Sequence, residues 1–255
     1  MKKTAFNDNW IYRGQSVILP HDAMLHEARD PDAKSGSAGA FFPDGEYVYE
    51  KTFERPAAEH VLFQFEGVYK NAKVFINGKE AGGAAYGYIP FFVNADEYLI
   101  NGENTIRVEC SVRHPDSRWY SGAGIYRPVW LWEGPKDSLE PESVKISTVS
   151  YDPAVIRIQS PKIVKVEVEG ISGEGTDFEL TIPDAQLWSE NTPYLYTAKI
   201  TNDVDREEIR FGIRKVEWSN TGLFINGKET LLRGGCIHHD NGILGAATYD
   251  ESEWR

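Results

Sequence analysis

The stretch Arg233–Gly245, RGGCIHHDNGILG, decides how the rest of the chain is read. His238, His239 and Asp240 stand together, ahead of an Asn-Gly pair and a short run of small and apolar residues. Upstream, Glu229–Arg233 is predicted to be a strand. Downstream, Asp250 with Glu253 has capping-box spacing and predicts a helix start. Strand, polar loop and helix in that order read as the first strand and first loop of a (β/α)8 barrel. Such barrels place their sites at the C-terminal ends of strands. A sequence that stops one turn into a capped helix is expected to stop inside a domain. The tail after about Gly234 is accordingly expected to be mobile or poorly packed.

The polar cluster invites a metal reading. In an extended segment neighbours point to opposite faces, so His238 and His239 do not share one ion. Cys236, His238 and Asp240 do share a face, and Cys with His suits zinc. No second Cys or His pair stands nearby at ligand spacing, so no metal site is assigned. On residues alone, a structural histidine and a functional one are about equally supported.

Working outward, the chain shows short runs alternating apolar and polar, with almost no helical period. Tyr47–Phe53, Val61–Phe65, Lys73–Asn77, Asn104–Val112 and Val129–Trp132 are predicted strands. In Asn104–Val112 the residues Ile106, Val108 and Cys110 fall on one face. Asn77-Gly78 and Asn226-Gly227 each sit in a FINGKE hexapeptide, the strongest short hairpin signal, and Asn101-Gly102 is a third such turn. Glu133–Ser143 is rich in Pro, Gly and charge and reads as a linker. Beyond it, Val144–Val149, Ala154–Gln159, Lys162–Glu169, Asp177–Ile182, Leu195–Thr201 and Glu207–Phe211 are predicted strands of a small immunoglobulin-like sandwich. Thr221–Leu232 is predicted to form the second hairpin.

Composition excludes several classes. The 255 residues carry 27 Lys and Arg against 39 Asp and Glu, a net charge of −12. That balance does not suit a phosphate backbone or an anionic membrane surface. No apolar stretch approaches membrane-spanning length. The N-terminus lacks the apolar run of a signal peptide. Two cysteines do not make a disulfide framework. A reducing, cytoplasmic setting is the expectation. The aromatic content, 7 Trp, 13 Tyr and 12 Phe, suits strands and also sugar-binding faces.

A second candidate is His114–Arg127, HPDSRWYSGAGIYR. Trp and Tyr stack on sugar faces, while Asp and Arg fix hydroxyls. The plainer reading is a long loop in which Asp116 makes a turn and Arg127 packs a Trp, and the residues alone favour it. There is no nucleophile elbow, P-loop or complete dinucleotide fingerprint.

These two stretches resemble glycoside hydrolase family 2 and, within it, the β-galactosidases. The resemblance extends through Phe65–Val68, Val74–Gly78, Gly87-Tyr88-x-Pro90-Phe91, Arg118–Arg127, Leu187-Trp188, Pro193-x-Leu195-Tyr196, Phe211–Arg214 and Asn226–Lys228. It implies a jelly-roll sugar-binding-type sandwich at 1–133, a linker at 134–142 and an immunoglobulin-like β-sandwich at 143–218. The start of a truncated catalytic (β/α)8 barrel follows at 219–255. The implied activity of the full-length protein is retaining hydrolysis of terminal β-galactosides. Both catalytic glutamates belong to later barrel strands, so this chain alone is expected to be inactive. Three substrate contacts follow from the resemblance: Asp116, reaching from the first domain, His238, ending the first barrel strand, and Asp240. It implies no cofactor in this chain, a divalent cation in some full-length members, and homo-oligomers among many. β-Glucuronidase and β-mannosidase of the same family, and a non-catalytic carbohydrate-binding module, stay open.

Overall fold

The computed structural model describes residues 1–238 and 241–254. The chain divides into two compact units, Lys2–Gly134 with Cys236–Arg255, and Pro135–Gly235 with Met1.

The first unit is a two-sheet antiparallel sandwich. Its strands are β1 (Lys2–Ala5), β2 (Trp10–Tyr12), β3 (Gln15–Val17), β4 (Gly45–Glu54), β5 (His60–Phe65), β6 (Ala72–Ile76), β7 (Lys79–Ala84), β8 (Phe91–Asn94), β9 (Glu103–Val112) and β10 (Val129–Gly134). One sheet runs β1-β10-β5-β8 and the other β3-β2-β4-β9-β6-β7. Alternation sets which faces meet. Ile106, Val108 and Cys110 of β9 are buried, as their period predicts, and Asn104 and Val112 at the strand ends join them. Tyr47 and Tyr49 of β4 and Phe63 and Phe65 of β5 fill the same core.

Asn77 and Gly78 both have positive φ, 50° and 80°, as a type I′ turn requires. The Asn77 side chain also accepts from the Thr105 amide at 2.9 Å and donates to the Asn104 side chain at 2.8 Å. Asn104 in turn donates to the carbonyls of Ile100 and Gly102. The first FINGKE turn and the Asn101-Gly102 turn are therefore stitched together by the side-chain amides of Asn77 and Asn104, not independent hairpins.

The second unit holds β11 (Lys145–Tyr151), β12 (Ala154–Val168), β13 (Ile171–Thr181), β14 (Tyr196–Thr201) and β15 (Arg206–Phe211). The two strands expected at Ala154–Gln159 and Lys162–Glu169 are one long strand. Its register shifts between Gln159 and Val164, around Pro161, which has no amide for the ladder. Its first half pairs β11 and its second half pairs β14. Ile156 and Ile158 from one half share a core with Val164 and Val166 from the other and with Ala198 and Ile200 of β14.

A three-stranded meander follows in this unit: β16 (Val216–Ser219), β17 (Gly222–Ile225) and β18 (Lys228–Glu229). The strand predicted at Glu229–Arg233 ends at Glu229, and Leu231 and Leu232 are exposed. A strand of a parallel barrel is held by its neighbours in the sheet, and the described residues supply none.

The tail returns as part of the first unit and corrects one expectation. Ile237, Ile243 and Trp254 are exposed, but Ala246 and Ala247 are buried. Two small side chains fit where larger ones do not. The helix α1 spans Asp250–Glu253 and is capped one residue earlier than expected, at Tyr249, whose amide donates to the Ser252 hydroxyl. His239 and Asp240 lie outside the described residues, and so does the expected sugar contact at Asp240. Among the described residues no helix is long and apolar enough to cross a membrane.

Candidate functional site: an aromatic cleft in the first unit

A cleft of about 390 Å³ opens in the first unit. Tyr86, Tyr88, Trp119, Tyr120, Ser121 and Tyr126 line it together with Cys236, Ile237, His238 and Ala246. The aromatics come from two loops. Residues 85–90 join β7 to β8, and residues 113–128 join β9 to β10.

The first loop is held by its glycine. Gly87 sits so close to Tyr69 that a Cβ there would lie 2.4 Å from the ring. The Gly87 carbonyl accepts from the buried Tyr126 hydroxyl at 2.7 Å. Tyr88 is then packed edge-on against Tyr69, Tyr86 and Tyr126. Burial raises the Tyr88 pKa, so its hydroxyl stays protonated.

The second loop is fixed at Gly124, which exchanges two backbone hydrogen bonds with Tyr69. It delivers Trp119, whose indole N–H donates to the Tyr88 hydroxyl at 3.0 Å. His238 stands with its ring centroid 5.0 Å from that of Trp119. The Arg127 guanidinium lies over Tyr126 rather than over a tryptophan.

Asp116 does not line the cleft. One carboxylate oxygen accepts from the Tyr69 hydroxyl and the other from the Lys70 ammonium, both at 2.6 Å. Burial pushes its pKa up, but the hydrogen bonds from Lys70 and Tyr69 outweigh it, and the net shift is downward. Asp116 thus reaches the cleft wall through Tyr69, which packs on Tyr88. Of the sequence candidates, the structure places His238 at the cleft and Asp116 one layer behind it.

Sequence reasoning missed Tyr86, Tyr88 and, above all, Asp22. Asp22 is buried and accepts four hydrogen bonds: from the amides of Met24, Ala123 and Ala246 and from the Tyr120 hydroxyl. No local pattern marks it, because three of its four donors come from two distant segments, the loop that holds Tyr120 and Ala123 and the tail that holds Ala246. The signal available was an Asp beside a His in an aromatic-rich chain, which is weak.

Next to it, His21 Nδ1 lies 2.8 Å from the Tyr49 hydroxyl, and its Nε2 lies 3.1 Å from His26 Nε2. Burial first, and then the neighbouring His26, pull the His21 pKa down from 6.5 to about 4. The unfolded chain therefore binds more protons between these values, and stability falls as pH drops through that window. The urea midpoint is expected to decrease from pH 7 toward pH 4.5, with a shallower decrease in His21→Gln. An equal slope in the two proteins would contradict this assignment.

Chemically the lining of the cleft suits a sugar. Aromatic faces stack on the C–H face of a pyranose, and phenols, indole and imidazole meet its hydroxyls. Among the described residues no carboxylate lines it; glycoside cleavage uses a pair of them. Among the described residues no group of three His, Cys, Asp or Glu side chains is placed to hold a metal.

Comparison with known proteins agrees with this architecture. Residues 38–135 match the model "Glycosyl hydrolases family 2, sugar binding domain", and residues 136–214 match "Glycosyl hydrolases family 2". Beta-galactosidase BoGH2A of Bacteroides ovatus is 32% identical over 90% of this chain and 32% of its own length. A putative beta-glucuronidase of Formosa agariphila is 28% identical over 96% of this chain and 28% of its own length. The crystal structure of a glycosyl hydrolase family 2 member from Bacteroides cellulosilyticus superposes with a TM-score of 0.78 at 26% identity, covering 99% of this chain and 40% of that one. The chain thus spans about a third of the length of these curated relatives. Two adjoining matches to one family, over more than half of the residues, and the shared sandwich architecture lead to one conclusion: the chain belongs to the glycosyl hydrolases of family 2.

Proposed function

We propose that this chain is the non-catalytic β-rich part of a retaining glycosidase acting on terminal β-D-galactosides, and that its aromatic cleft contributes to the sugar site. In this reading the catalytic glutamates stand on barrel strands outside the chain. His238 contacts the sugar, and Asp116 stiffens the wall behind Tyr88. The observation that carries the reading is the cleft itself, whose Tyr and Trp side chains suit the face of a pyranose. The galactoside is supported by Beta-galactosidase BoGH2A, 32% identical over 90% of this chain, although relatives named for β-galactosides and for β-glucuronides both match the chain.

Two measurements test the proposal. The isolated chain is expected to release no nitrophenol from a nitrophenyl β-galactoside, and clear turnover would place the catalytic groups inside it. Millimolar methyl β-galactoside is expected to change the Trp fluorescence, and Trp119→Ala to abolish the change. A larger response to methyl β-glucuronide than to the galactoside would turn the assignment toward the glucuronidases.

A further inference from the structure

Asp22 stands at the entrance to a one-turn 3-10 helix, Ala23–His26, and is only 3% exposed. Its two carboxylate oxygens serve different parts of the molecule. Oδ1 accepts from the amides of Met24 and Ala123, both at 3.0 Å. Those bonds tie the carboxylate to its own turn and to the Gly122–Gly124 loop. Oδ2 accepts from the Tyr120 hydroxyl at 2.6 Å and the Ala246 amide at 2.8 Å. Tyr120 and Ala246 both line the cleft.

The surroundings are shaped to let both partners in. A Cβ on Gly245 would lie 2.2 Å from Oδ2, and one on Gly122 would lie 2.7 Å from it. Both glycines have positive φ, +62° and +65°. A buried carboxylate is costly unless donors surround it. Here they are three amides and a phenol from segments 98, 101 and 224 residues away and from its own turn.

We infer that Asp22 is a positioning residue of the cleft: its Oδ2 clamps Tyr120 and the Ala246 segment to each other, and Oδ1 anchors that clamp to the sandwich. It acts on a ligand only through those two residues. That the ligand is a sugar rests on the function proposed above, but the clamp itself does not.

Asp22→Asn separates the two oxygens. The amide nitrogen settles at the Oδ2 position, where Tyr120 can turn its hydroxyl to accept. The Ala246 N–H then faces another donor. Amide exchange at Ala246 is expected to accelerate at least tenfold, while Met24 and Ala123 change by less than threefold. Gly245→Ala drives a methyl group against Oδ2 from the tail side and leaves Asp22 itself intact. The same release of Ala246 is expected there. The galactoside response of Trp119 is expected to weaken in both variants. Unchanged exchange at Ala246 in both would overturn the clamp. Acceleration of all three amides together would also overturn it, because Asp22 would then be holding the fold rather than the cleft wall. The selective pattern with no galactoside response in the wild-type chain would support the clamp and overturn the sugar reading alone.

Discussion

Replacing Gly124 by valine is expected to destabilise the first unit by about 3 kcal/mol or more, from overpacking and backbone strain together. Gly124 has φ +92°, a conformation that a β-branched residue avoids. A Cβ there would lie 2.2 Å from the Tyr49 hydroxyl oxygen and 2.9 Å from the ring carbon that bears it. The end of an aromatic side chain normally has room to swing. Tyr49 has none: it is fully buried, stacked on Tyr12 at 4.9 Å and hydrogen-bonded to His21. The backbone cannot retreat either, because Gly124 exchanges two hydrogen bonds with Tyr69. Losing that bridge would also release the residue that holds Asp116. Chemical denaturation followed by far-ultraviolet circular dichroism measures the effect. A loss below about 1 kcal/mol would mean that Tyr49 has space not evident in its packing.

The legibility of this chain follows from range. Where a residue's role is set by its immediate neighbours, the sequence is readable. β9 alternates over its whole length, and both FINGKE turns have the two positive φ values that Asn-Gly predicts. Short strands are less visible. β7, KEAGGA, has no alternation to detect, and Gly83 allows the close approach to Ala72 that its pairing needs. Lys2–Ala5 and Trp10–Tyr12 hold too few residues to show a period. Glu229–Arg233 has strand-like residues, but strand formation depends on partners that local composition does not report. The cleft is the extreme case. Tyr88 and Trp119 lie in motifs that stand out in the sequence, yet only the fold brings the indole N–H to the phenol. Asp22 is the least legible of all, because every donor but one comes from another segment.

The same reasoning makes the centre of the first sandwich the place where one side chain matters most to its stability. Phe63→Ala is expected to cost about 3–5 kcal/mol, the range for removing a fully buried aromatic ring. Phe63 has no exposed surface. Its ring centroid lies 5.0 Å from that of Phe6 and 5.5 Å from that of Phe53, and those two lie 5.4 Å apart. Three rings from the segment after β1, from β4 and from β5 thus close on one another across the two sheets. Relaxation into the gap is restricted, because Phe6 is held from behind. Its carbonyl accepts from the Trp10 indole at 2.8 Å and from the Lys51 ammonium at 3.3 Å. Its ring is also covered by that ammonium at 3.6 Å. A site that cannot collapse keeps its cavity, which puts the cost toward the upper part of the range. Phe63→Leu retains most of the volume and is expected to cost less than about 2 kcal/mol. Urea denaturation of the two variants decides the matter. If alanine and leucine cost the same, the loss comes from the aromatic contacts and not from the cavity. If neither costs more than about 1 kcal/mol, the three-ring cluster is not where this sandwich is held together.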